Sequence, residues 1–152
     1  MKRFCGALAV LVAACVLVPA AAAAGPAVAN GGGHGTDGIR PFSQFGFGVT
    51  QSVDGSVQGH FNCLMAGATQ FPGFTLMGVR GQVTSATIGS GSASFHGAGM
   101  LQTGNQGKSP ATFHVDVTAG GPGVGTLHLT LLTPFFFDLP IEQVMDGQIS
   151  IR

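Results

Sequence analysis

Phe45-Gly46-Phe47-Gly48-Val49-Thr50-Gln51-Ser52-Val53-Asp54-Gly55-Ser56-Val57-Gln58-Gly59-His60-Phe61-Asn62-Cys63-Leu64-Met65 is the stretch that decides the fold. Phe45, Phe47 and Val49 alternate with Gly46, Gly48 and Thr50, and Val57, Phe61, Cys63 and Met65 alternate with Gln58, His60, Asn62 and Leu64. Successive side chains of an extended chain point to opposite faces, so each run has one dry face and one wet face. Val53-Asp54-Gly55 between the runs suits a three-residue hairpin loop with Gly55 in the left-handed conformation. That register sets Phe47 opposite Phe61, Phe45 opposite Cys63 and Val49 opposite Gly59. A slip of one position would turn one strand's apolar set to water.

The alternation continues outward from this hairpin. Met77, Val79 and Val83 are in phase across residues 76–84, and Phe95 sits within 92–101. Phe113, Val115 and Val117 alternate with His114, Asp116 and Thr118, and Leu127, Leu129 and Leu131 alternate with Thr126, His128 and Thr130. Residues 143–151 close the chain, with Ile149 and Ile151 facing inward and Asp146-Gly147 as a bulge or turn. Turn chemistry separates the runs: Gly89-Ser90-Gly91, Gly104-Asn105 and Gly120-Gly121-Pro122-Gly123. No window carries apolar residues at helical spacing. The expectation is an all-β fold: a single antiparallel β-sandwich or small flattened barrel of seven to eight strands. Twelve Phe with no Trp or Tyr, and glycine inside the strands, suggest Phe rings packed over glycine floors.

The start of the chain reads as an address. Met1-Lys2-Arg3 is basic, residues 4–18 are an apolar run, and Ala20 to Ala24 are small. That order predicts a signal peptide over residues 1–24, cut after Ala24 or alternatively after Ala29. A lipid on Cys15 is a further alternative. Residues 25–38 are expected to be a glycine-rich flexible tether and residues 39–152 the antiparallel β domain. The location expected is secreted, periplasmic or cell-surface, with no membrane span in the mature protein. Removing residues 1–24 leaves four cations against six carboxylates, which offers no footprint for nucleic acid. It also leaves Cys63 alone, so no internal disulfide is expected and packing must hold the fold.

Phe45-Gly46-Phe47-Gly48-Val49, Phe113-His114-Val115-Asp116-Val117, Gly121-Pro122-Gly123 and Asp146-Gly147-Gln148-Ile149-Ser150-Ile151 together resemble the glycine-rich β domains of exported bacterial proteins called post-COAP-type domains. The resemblance spans about residues 31–152. It implies export and a β fold and carries over no functional residue.

Among chemistry-bearing residues, His60, His96, His114 and His128 fall opposite in phase to the apolar set and should face outward. The turn at residues 121–123 brings His128 across from His114 or Asp116, so His114, Asp116 and His128 are a candidate divalent metal set. Otherwise these are ordinary polar-face residues, and no cofactor is expected. Asp138 and Glu142 could form a carboxylate pair but read better as a solvated loop. Cys63 falls on the dry face as a small buried hydrophobe. Phe135, Phe136 and Phe137, bracketed by Pro134 and Pro140, cannot all face one core from a strand. They either plug an open end or form a contact patch for a partner or ligand. The expected function is an exported, non-catalytic structural or adhesive module that meets a protein partner. The alternatives are a carrier of a small apolar ligand inside the β structure and a histidine-based metal site.

Overall fold

The structure, a computed structural model, describes residues 25–38, 41–66, 76–104 and 106–152. The expected signal peptide, with Cys15, lies outside the described residues. The described chain is all-β. Its strands are β1 (Ala27–Thr36), β2 (Pro41–Gln51), β3 (Val57–Ala66), β4 (Leu76–Ile88), β5 (Ser92–Thr103), β6 (Lys108–Thr118), β7 (Thr126–Thr133), β8 (Phe137–Asp138) and β9 (Glu142–Ile151). All pairings are antiparallel in one sheet of order β6-β5-β4-β3-β2-β1-β9-β7-β8, and β6 also pairs with β7. The sheet therefore curls into a ring. The two-residue β8 shares the outer edge of β7 with β9.

The deciding hairpin forms in the expected register: Phe47 pairs with Phe61, Phe45 with Cys63 and Val49 with Gly59. Gly55 is left-handed at φ 84° and donates its N–H to the Ser52 carbonyl. Asp54 accepts hydrogen bonds from the Ser56 N–H and hydroxyl, which pins the loop. The β4–β5 and β6–β7 hairpins also reverse at left-handed glycines, Gly91 at φ 88° and Gly123 at φ 75°.

One chain of rings fills the interior. Phe47 lies 5.5 Å from Phe95, Phe95 lies 5.9 Å from Phe61, and Phe61 lies 5.2 Å from Phe113, in tilted or edge-on contact. Leu101, Leu127, Leu129, Leu131, Met65 and Met77 complete a core with almost no exposure. Glycines supply the floors. A Cβ on Gly31 would come within 2.8 Å of the Phe47 ring and 2.9 Å of Ile149, and one on Gly97 would collide with Phe113.

The tether expected over residues 25–38 is corrected here. Residues 27–36 are strand β1, paired with β2 along its whole length and with β9 on the other side. Glycine density suggested freedom, but these glycines answer to neighbours. Gly31 makes room for Phe47, and Gly35 makes room for Glu142. Ala29 is fully buried. Strands β1 and β8 take the total to nine, above the seven to eight expected.

The two readings of β1 make opposite forecasts for Gly31→Ala. In a tether the change would be neutral or slightly stabilising, because alanine narrows the unfolded ensemble. In β1 it should lower stability by about 1–3 kcal/mol through overpacking against Phe47 and Ile149. Adding Phe47→Leu to Gly31→Ala should recover part of that loss. Urea denaturation of the three proteins measures both effects.

Candidate functional site

The outer face of β5, β6 and β7 gathers three of the five histidines, His96, His114 and His128. Residues of one strand face alternate, and pairing sets His96 beside His114 and Asp116 beside His128. The His96 and His114 rings stack with centroids 4.4 Å apart. Nε2 of His114 lies 2.8 Å from the Ser94 hydroxyl and 3.4 Å from an Asp116 carboxylate oxygen. His128 turns the other way: its Nε2 sits 2.9 Å from Oδ1 of Asp138 on β8, and the Thr130 hydroxyl donates to that same oxygen at 2.8 Å. His114 and His128 thus each have their own carboxylate, while His96 has the His114 ring. His114, Asp116 and His128 are neighbours, but among the described residues no three His, Cys, Asp or Glu side chains converge in a way that could hold a metal ion. On β1 and β9, Nδ1 of His34 lies 2.9 Å from both Asp146 oxygens, and this hydrogen bonding holds the Asp146 carboxyl below its ordinary range.

Asp138 and Glu142 do not pair, and the solvated-loop reading fails for Glu142. Asp138 faces outward. Glu142 opens β9 facing inward, 1 % exposed, opposite the fully buried Leu127. Its Oε2 accepts a hydrogen bond from the Ser43 hydroxyl, while Oε1 has no partner among the described residues. Burial pushes its carboxyl up to about 7, with the Ser43 hydrogen bond opposing and the charge of Asp37 assisting. Gly35 stands against this carboxyl because any side chain there would overlap it. Cys63 lies in the same interior region and is buried as expected. Burial, and then the Glu142 charge, drive its thiol far above the ordinary range.

The aromatic segment divides. Phe137, on β8, is partly buried against the core and Leu139 is 2 % exposed, so this end seals the ring. Phe135 and Phe136 form the turn of the β7–β8 hairpin and stay 42 % and 71 % exposed. Leu132, near the end of β7 that leads into this turn, is exposed too. Two grooves, of about 360 and 590 Å³, open on the outside of the ring, and neither is bordered by the three Phe. The smaller one runs past Asp116, His128, Thr118, Thr126 and Ile141.

No protein-family model, curated protein or solved structure matches the chain.

Two outcomes follow from the buried cluster. Below about pH 4.5, both folded and unfolded chains carry the Glu142 proton; between there and about pH 7 only the folded chain keeps it. Stability should therefore fall as pH rises across that window, by about 3 kcal/mol in all, and level off above it. Glu142→Gln should remove this part of the slope in chemical denaturation run at pH 4 to 8. Cys63, as a buried thiol, should react with a thiol-directed dye only as fast as the ring opens. Rapid labelling of the native protein would contradict its burial.

Proposed function

We propose that this chain is an exported, non-catalytic interaction module whose contact point is the exposed tip of the β7–β8 hairpin. The observation that carries the reading is a pair of exposed Phe side chains on a rigid base. Phe136 and Phe135 stand out at 71 % and 42 % exposure while Phe137 and Leu139 anchor the hairpin in the core. Exposed aromatic side chains with a fixed backbone lose little freedom on binding and bury much apolar area, the profile of interface hot spots. The touching series of buried Phe rings in the interior supports surface contact over carriage of a ligand inside. The acids support it too: Asp116 and Asp138 each face a histidine, and Glu142 is sealed away from any substrate.

Export remains part of this proposal. Cleavage after Ala24 fits the fold better than cleavage after Ala29. The later cut would remove residues 27–29, which pair with 49–51, and with them the buried Ala29. The Val28 N–H also donates to the Arg152 carbonyl at 2.7 Å, one of the bonds that close the ring.

Native mass spectrometry of the protein recovered from its own host tests the carrier alternative. The expected mass starts at Gly25 and includes no small molecule; a retained apolar compound would replace this reading with a carrier. A photo-crosslinking phenylalanine at position 136 should capture a partner in the host, and the same group at Val53, 76 % exposed on another loop, should not. Equal capture from both positions would remove the hairpin tip as the contact point.

A further inference from the structure

We propose that the larger groove, on the outer face of β2 to β6, is a second binding site, and that it takes an extended acidic peptide segment. Side chains two positions apart on a strand share a face, and here two transverse rows of them meet. Asn62 pairs with Arg80 and Arg80 with Met100; Gly78 pairs with Gln102 and Gln102 with Lys108. Arg80 and Lys108 therefore stand two strands apart and two positions apart along them, about 12 Å at ordinary strand spacing and rise.

Charge is what marks this face. Every described carboxylate is already engaged elsewhere: Asp54 with Ser56, Asp116 with His114, Asp138 with His128, Asp146 with His34, Glu142 with Ser43, and Asp37 with a further partner. Arg80 and Lys108 make no ion pair with any of them, and no carboxylate borders the groove. In a chain with more acids than bases once residues 1–24 are set aside, two unpaired cations in one groove of about 590 Å³ form a complementary surface for a negative ligand.

The other lining groups choose the ligand class. The amides of Asn62 and Gln102 make no side-chain hydrogen bond with a described residue, and each offers both a donor and an acceptor, as a peptide backbone requires. Leu64 and Met100, 42 % and 40 % exposed, give apolar contact for a side chain between two acids. A sugar ring would want an aromatic platform, but the bordering Phe45 is turned inward and 3 % exposed. Gly78 leaves the floor open: a Cβ there would meet only Leu64 at 3.4 Å and a backbone oxygen at 4.0 Å, both ordinary contacts.

The test is fluorescence anisotropy with a labelled peptide of alternating Glu and Leu. Saturable binding that weakens with added salt is expected. Arg80→Gln and Lys108→Gln should each lower affinity about fivefold or more. Gly78→Val, which fills the groove from its floor, should abolish binding. Unchanged urea midpoints would show that the three variants fold. Phe136→Ser should leave peptide binding as it was, so this site and the hairpin tip succeed or fail separately. Binding insensitive to all three groove variants overturns the proposal. So does preference for a polyuronate over the peptide, or displacement of the peptide by millimolar inorganic phosphate.

Discussion

The press of Phe rings against bare backbone is the constraint on which the rest of this ring depends. A sheet of eight strands closed on itself leaves an interior just wide enough for side chains to fill. Here Phe47, Phe61, Phe95 and Phe113 occupy that interior as one touching series. Rings of that size fit only because glycines stand at Gly31, Gly81 and Gly97, where any Cβ would run into Phe47 or Phe113. The Phe and Gly contents of the sequence are thus one fact seen from two sides. Removing a ring would leave a cavity worth about 3–5 kcal/mol, and adding a methyl to a floor would force the ring to move.

Where the physics is local, the sequence was legible. The three-residue loop at residues 53–55 has one natural solution, with Gly55 left-handed, and that solution fixes the whole β2–β3 register. The Phe-over-glycine packing, the outward histidines and the buried Cys63 follow from phase alone. Non-local facts escaped. The glycines of residues 31–35 look free until Phe47, Ile149 and Glu142 are placed beside them from distant segments. Glu142 escaped for a sharper reason. Ile149 and Ile151 set an odd inward phase, but Met145 is the extra residue of a bulge opposite the His34–Gly35 step, and the phase inverts before it. Val144 and Glu142 then face inward instead of outward. Bulge chemistry at Asp146-Gly147 was visible, but its effect on the positions before it needed the partner strand.

The candidate histidine set shows the limit of reasoning from pairs. Asp116 does stand opposite His128, as the turn after β6 implies. The two-residue β8 then brings Asp138 to the same imidazole from the other side, and that contact prevails at 2.9 Å. A strand of two residues has no alternation to detect. The distribution of acids that results is orderly: surface carboxylates sit against imidazoles or hydroxyls, and the buried one sits in an apolar interior that favours its neutral form.

Closure also orders the events of folding. β1 pairs with β9, so the first strand and the last are neighbours, tied by reciprocal hydrogen bonds between Val28 and Arg152. Every other consecutive pair from β1 to β7 is a β-hairpin or near-local pairing that can form as the chain emerges. The β1–β9 seam cannot: it spans the whole domain and carries the largest loop-closure cost. Until it forms, β1 and β9 are open edges and the Phe series lacks the wall that Gly31 and Ile149 provide. The same geometry makes β1 indispensable to closure, since each residue removed from Ala27–Thr36 is a residue lost from the strand that completes the ring.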